Sequence, residues 1–170
     1  MNIRVLNAQD TQVYRTIRLN ALKNSPTSFG SSYEEESAFA VKRFTNRIAK
    51  PNSQTFGAFE ESQLVGICNL SFQPRKKMGH RAEIFSMYVE PNFRGKGIGK
   101  ALMTRAVKRA LEKETIRQIY LTVVRSNQAA KTLYASFGFQ TYGVDRQALQ
   151  YKGEFYDFEL MVLFLKKGGK

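Results

Sequence analysis

The chain has no tryptophan, one cysteine, one histidine and only 14 acidic residues against 27 basic ones in 170 positions. Each shortage removes a class of protein. The single thiol, Cys68, cannot build an internal disulfide framework, and its apolar surroundings in the sequence read as those of a small buried hydrophobe. His80 stands alone beside Arg75-Lys76-Lys77 and Arg81, where solvation is its expected state, and no His/Cys spacing matches a metal site. No apolar run approaches the length of a membrane span, and Met1-Asn2-Ile3-Arg4 does not have the pattern of a signal peptide, so the expected location is the cytoplasm with no membrane partner. There is no repeat, low-complexity tract or linker. A length of 170 residues suits one domain over 1–170, with Lys166–Lys170 expected to fray.

The scarcity of acids leaves a formal net charge of +13. That excess fits nucleic-acid binding, attraction of an anionic small molecule, or solubility. The basic residues are spread along the chain, and the densest group runs from Arg94 to Lys113. Without tryptophan or an interleaved basic–aromatic stripe, a small anionic ligand is the preferred reading. A basic nucleic-acid-binding protein stays as an alternative, whose mark is a steep salt dependence.

That dense group opens with Arg94-Gly95-Lys96-Gly97-Ile98-Gly99-Lys100. Before it, Ala82–Val89 reads as a strand rich in β-branched and aromatic residues, stopped by Pro91-Asn92. After it, Ile98, Leu102, Ala106, Val107, Ala110 and Leu111 recur at helical spacing. A glycine-rich basic turn between a strand and a helix N-terminus offers free N–H groups and partial positive charge, the geometry that binds phosphate. The same residues also suit a plain tight connection with basic residues for solubility. A P-loop is excluded because Ala101 follows Lys100, and the dinucleotide fingerprint fails because Lys100 stands where its third glycine belongs.

Arg94, Gly97 and Gly99 do satisfy Arg-x-x-Gly-x-Gly, and here the chain resembles the GNAT superfamily of N-acetyltransferases. A second stretch, Asn127-Gln128-Ala129-Ala130-Lys131-Thr132-Leu133-Tyr134 followed by Gly138-Phe139, is similar to that family's Asn-x-x-Ala-x-x-Leu-Tyr…Gly-Phe. The closing Gly153-Glu154-Phe155-Tyr156-Asp157 looks like its last strand. The resemblance covers nearly the whole chain. It implies an α/β fold whose central mixed, mostly antiparallel twisted sheet is flanked by helices, with parallel pairing around the cofactor helix.

The order of elements agrees. Ile3–Leu6 reads as a strand, and Asp10 as the cap of a helix carrying Val13, Ile17 and Ala21, broken at Asn24–Ser28. One further helix is expected from near Glu35 to Ile48. Thr55–Glu60 and Leu64–Phe72 form a hairpin. Gln118–Val124 is a strand parallel to Ala82–Val89 across the helical crossover. Asn127 caps a short helix ended by Gly138, and Phe139–Val144 and Phe155–Leu165 are closing strands.

The resemblance implies acetyl-CoA as co-substrate and an amine as acceptor. It carries backbone contacts with the pantetheine arm to Met87 and Val89, and the pyrophosphate to Arg94, Gly95, Lys96, Gly97, Gly99 and Lys100. It places Asn127 near the pantetheine arm, though an N-cap role alone would also account for that residue. Tyr134 resembles the family's general acid; a packed core tyrosine is the plainer reading. Glu83 stands eleven residues before Arg94, where some family members carry a catalytic base, and strict alternation would put Glu83, Phe85, Met87 and Val89 on one strand face. A carboxylate paired with Arg81 or a lysine, with water as base, is the alternative for Glu83.

The acceptor side is expected from Phe29, Tyr33 and Glu34, with Glu83. Glu34-Glu35-Glu36 is the chain's only acidic triplet and mildly favours a small cationic amine, while acids at a helix N-terminus would also simply complement its dipole. A homodimer is compatible with this reading. A non-catalytic acyl-CoA sensor is the second alternative, against which Glu83 and Tyr134 count.

Overall fold

Seven strands and five α-helices make up the computed structural model, which describes residues 1–165. In order they are β1 (Asn2–Val5), α1 (Thr11–Asn24), α2 (Tyr33–Ser37), α3 (Val41–Ile48), β2 (Ser53–Glu60), β3 (Gln63–Phe72) and β4 (Arg81–Val89). There follow α4 (Ile98–Leu111), β5 (Gln118–Val124), α5 (Gln128–Ser136), β6 (Gln140–Tyr151) and β7 (Glu154–Phe164). The strands join in one sheet, β1-β2-β3-β4-β5-β7-β6. Every neighbouring pair is antiparallel except β4 with β5, which the α4 crossover makes parallel. The mixed α/β sheet expected from the sequence is therefore present, whereas the expected fraying of 166–170 falls outside the described residues.

The core divides between the two faces of the sheet. Leu102, Met103, Ala106 and Ala110 of α4 pack with Leu70, Ile84 and Ile119 on one face. Tyr14, Ile17, Ala21 and Leu22 of α1 and Phe44 and Ile48 of α3 pack with Ile67 and Tyr88 on the other. β3 is covered on both sides, which is why its sequence reads as an almost continuous apolar run.

Several local expectations are corrected. Asp10 does not cap α1 with its side chain; its carboxylate takes two hydrogen bonds from Arg4, at 2.7 and 2.6 Å, and one from the Asn7 amide. Val13 is exposed, and the buried stripe of α1 is Tyr14, Ile17, Arg18, Ala21 and Leu22. Leu111, at the last turn of α4, is also exposed. The single helix expected over Glu35–Ile48 is two. Ser32 and Glu35 form a capping box that starts α2 earlier, and Ala38–Ala40 leave the helix so that Phe39 can lie beneath the Arg43 guanidinium at 3.6 Å. β6 continues to Tyr151 rather than stopping at Val144, with irregular pairing at Tyr142 and across residues 146–148.

The correction that shapes the site lies in β4. Ile67 pairs with Tyr88 and Asn69 with Phe85, so two β4 residues, Ser86 and Met87, face Cys68 alone. Ser86 takes a left-handed φ of 52° to make this bulge. Alternation is broken there, because one extra residue shifts every later side chain to the opposite face. Met87 and Val89 consequently join the α4 face with Ile84, while Tyr88 turns to the α1 face.

Candidate active site

β4 and β5 pair only through Arg81–Glu83 and Gln118–Tyr120, then part. Beyond Glu83 the edge of β4 that faces β5 has no ladder partner among the described residues, and the gap between the strands is a cavity of about 630 Å³. Glu83 to Val89 form one wall and Leu121 to Val124 the other. The start of α4 closes one end, and α5 contributes Leu133 and Tyr134, with Asn127 just before it.

The end at α4 is built for an anion. Gly95 and Gly97 adopt φ of 77° and 80°, conformations that cost other residues about 1–2 kcal/mol each. A Cβ at either position would meet no atom within 4 Å, so their backbone faces open space. Among the described residues no side chain caps α4; its first backbone bond within the helix is from Ala101 to Gly97, at 3.0 Å, and the amides before it can face a ligand. Gly99 serves a different purpose: a Cβ there would touch Leu133 at 3.4 Å and Met87 at 3.5 Å, so the glycine allows α4, α5 and β4 to converge. The Arg94 Nε donates to the Val89 carbonyl at 2.9 Å, which fixes the guanidinium beside the turn. Lys100 also reaches the cavity wall. Lys96 does not line it; its ammonium lies 4.9 Å from the centre of the Phe93 ring. An uncapped helix end, a Cβ-free turn and two cations suit a phosphate-type anion.

Glu83 is exposed on the cavity wall. Among the described residues it forms no ion pair, and Arg81 instead lies 3.9 Å over the Tyr120 ring. Tyr134 is 6% exposed, packs against Phe139 with ring centres 6.2 Å apart, and also lines the cavity. Burial, with the neighbouring Cys68 adding to it, pushes the phenol well above its usual range, so it keeps its proton at neutral pH. Cys68 itself is pushed up to about 12 by burial and stays an inert thiol. The Asn127 side chain accepts from the Ala130 amide at 3.1 Å, so it caps α5 while facing the cavity. The N-cap reading of Asn127 is thus borne out, and its place on the cavity wall is compatible with the other.

Sequence and structure differ most over the residues expected on the acceptor side. Phe29 lines the cavity, but Tyr33 and Glu34 do not. They border an adjoining recess of about 550 Å³ between α2 and the Leu149–Tyr151 end of β6, which Phe29 and Gly30 share with the main cavity. The acidic triplet is dispersed. Glu35 is used in the capping box with Ser32, and Glu36 is fully buried between Arg18 and Arg47. Glu34 alone of the three is exposed with a carboxylate that makes no hydrogen bond or ion pair among the described residues. Arg18, absent from the expected site, forms part of the cavity wall. Its signal was an arginine at helical spacing within the buried face of α1, with acids available to receive it.

A polar network ties this end to the strand. Tyr88 accepts from Asn24 at 2.9 Å and donates to Glu90 at 3.1 Å, and Asn20 donates to Glu90 at 2.9 Å. It anchors the last turns of α1 to the end of β4, so the two walls keep their spacing.

The buried triad makes stability depend on acid. Burial alone would raise the Glu36 carboxyl, but hydrogen bonds from Arg18 and Arg47 and their charges outweigh it and hold the group at about 2. A depressed carboxyl stabilises the fold above its unfolded value and loses that contribution as pH falls through its folded value. Glu36 should therefore contribute about 3 kcal/mol at neutral pH that disappears between roughly pH 4.5 and pH 2. Urea unfolding at pH 5 and pH 2.5 should show a markedly flatter pH dependence for Glu36→Gln than for wild type. Equal slopes would remove Glu36 as a source of acid sensitivity.

The chain is similar to proteins of known family. The family model described as "Acetyltransferase (GNAT) family" matches residues 19–139. The N-alpha-acetyltransferase RimI of Mycobacterium tuberculosis is 31% identical over 110 residues, 65% of this chain and 66% of that protein. The spermidine N(1)-acetyltransferase of Thermoplasma acidophilum is 26% identical over 156 residues, 85% of this chain and 91% of that protein. In fold, the chain superposes with a TM-score of 0.85 on yncA of Salmonella typhimurium, a putative acetyltransferase solved with its cofactor acetyl-CoA, at 18% identity over 100% of this chain and 96% of that one. With two glycine-bearing motifs converging on one split between parallel strands, and the family model spanning most of the chain, this protein belongs to the GNAT family of acetyl-CoA-dependent acetyltransferases.

Proposed function

We propose that this protein acetylates the primary amine of a small molecule or peptide by direct attack of the amine on acetyl-CoA. The observation that carries the reading is that the glycine turn, Glu83 and Tyr134 share one cavity, although they come from distant parts of the chain. Acetyl-CoA supplies the activated acetyl thioester. The amides of the α4 turn, with Arg94 and Lys100, hold its diphosphate, and the unpaired edge of β4 at Met87 and Val89 offers backbone partners for the pantetheine arm. Binding both reactants in one cleft turns a bimolecular encounter into a local one.

Glu83 accepts the proton that the attacking amine must lose, directly or through water. Its exposure, and the lack of an ion pair to it among the described residues, leave it available for that exchange. Tyr134 donates a proton to the departing sulfur, a role suited to a phenol that burial keeps protonated. Relatives named for α-amino groups and for spermidine support an amine acceptor.

The test is release of free thiol from acetyl-CoA across an amine panel, with a thermal melt beside it. At a hundred times its dissociation constant, a ligand specific for the folded state stabilises by about 2.7 kcal/mol, which at this size raises Tm by roughly 5–10 °C. A melt unmoved by millimolar acetyl-CoA would show that the cavity does not hold this co-substrate.

A further inference from the structure

The α1 helix places an arginine where its pattern calls for an apolar residue. The Arg18 side chain is 7% exposed, one position after Ile17 in the buried stripe. Its Nε donates to Glu36 Oε2 at 3.1 Å and its Nη2 to Oε1 at 2.8 Å. The third nitrogen, Nη1, is buried and has no hydrogen-bond partner among the described residues. A buried, unmatched donor on a charged group is uncommon in folded proteins and calls for a reason.

The local charge balance points the same way. Glu36 also takes a hydrogen bond from Arg47 at 2.7 Å, so two guanidinium charges face one carboxylate and one positive charge is left over. Arg15, one turn earlier on α1, adds another cation, with its Nε equally without a partner. Arg18 lies 4.8 Å over the Phe29 ring, and both residues belong to the wall of the cavity that holds Glu83 and Tyr134. The charged side chains on that wall are Arg18, Glu83, Arg94 and Lys100. Arg94 and Lys100 belong to the co-substrate end. The remaining pair, Glu83 and Arg18, is one acid and one base.

We propose that Arg18 recognises a carboxylate on the acceptor, which is therefore an amine that also carries an acid group, of the α-amino acid type. The acceptor's amine faces Glu83 while its carboxylate lies against the Arg18 guanidinium on the wall, whose buried Nη1 turns toward the cavity to donate to it. A polyamine would instead bring a second ammonium toward a site with surplus positive charge. This inference rests on the acetyltransferase reading and specifies its acceptor.

Matched substrate pairs test it: leucine against isopentylamine, and phenylalanine against phenethylamine, with leucinamide and spermidine as further arms. One charge-assisted hydrogen bond corresponds to roughly a ten- to hundredfold preference in kcat/KM for the acid of each pair. Arg18→Lys keeps a cation beside Glu36 but lacks the forked third nitrogen, and it should collapse that preference through KM. Equal use of leucine and isopentylamine, or of leucine and leucinamide, would overturn the carboxylate assignment, as would spermidine as the best acceptor. Titration calorimetry with N-acetylleucine decides the point without turnover. Heat with wild type that is lost in a folded Arg18→Lys supports the role, and no heat with wild type overturns it. If no amine at all releases thiol, it is the transfer reading that fails, and the calorimetric result still judges Arg18.

Discussion

Gly97→Asp is expected to leave the protein folded and to abolish acetyl-CoA binding. Gly97 is the N-cap of α4 at φ 80° and ψ 0°, and a Cβ there would meet no neighbour within 4 Å. The left-handed backbone costs most residues about 1–2 kcal/mol, and an aspartate falls at the low end because its short polar side chain tolerates that region. A carboxylate at a helix N-terminus returns about 0.3–1 kcal/mol through the dipole. The two effects nearly offset, so the melting temperature without ligand should change little.

Binding is a different matter. The new carboxylate would stand in the opening that receives the diphosphate. Two like charges about 4 Å apart repel by about 4 kcal/mol at the effective dielectric of a protein surface, equivalent to roughly a thousandfold in affinity. Gly97→Asn gives a side chain of the same shape without the charge and separates bulk from electrostatics. Calorimetric titration with acetyl-CoA, alongside a thermal melt of each variant, measures both halves. An affinity undiminished in Gly97→Asp would move the co-substrate away from the α4 turn.

Tyr134→Phe should lower kcat by ~10²–10⁴-fold, the usual contribution of a positioned acid–base group. The exchange removes one oxygen and keeps the ring that packs against Phe139, so fold and acetyl-CoA affinity should hold. The proton is needed only as the thioester breaks, which places the loss in kcat rather than in ground-state binding. Glu83→Gln should behave otherwise. Its deficit should be greatest at low pH, where the amine most needs deprotonating, and shrink as pH approaches the amine's own pKa. Parallel pH–rate curves for wild type and Glu83→Gln would pass the base role to water. A Tyr134→Phe enzyme with full kcat would reduce Tyr134 to a packing residue.

Some parts of this molecule were legible because their cause is local. The α4 turn is one: glycine at positions needing positive φ, and a cation-rich helix start, are properties of seven consecutive residues. The end of α5 is another, where Gly138 takes φ 89° and Phe139 buries against the helix it follows. Asn127 could be named as a cap from its neighbours alone, and the structure gives it that bond. The order of strands and helices, and the parallel β4–β5 pair that a helical crossover demands, were legible for the same reason.

The amino-acid sequence by itself determined the order of most elements, the two motifs and the chemical types available to the site, because propensity, capping and periodicity act within a few residues. Tertiary structure alone decided which of these face one another. Period-two alternation put Glu83 and Met87 on one face, yet the pairing of β4 with β3 forces a bulge at Ser86 that turns Met87 to the other. Three adjacent glutamates looked like one acidic patch, yet Glu36 is drawn inward by two arginines distant in the chain. Lys96 carries the same charge as Lys100 in the same turn, but only Lys100 reaches the cavity. Bulges, buried ion pairs and the convergence of Arg18, Glu83 and Tyr134 are long-range outcomes: their energies depend on partners that meet only once the sheet has closed around them.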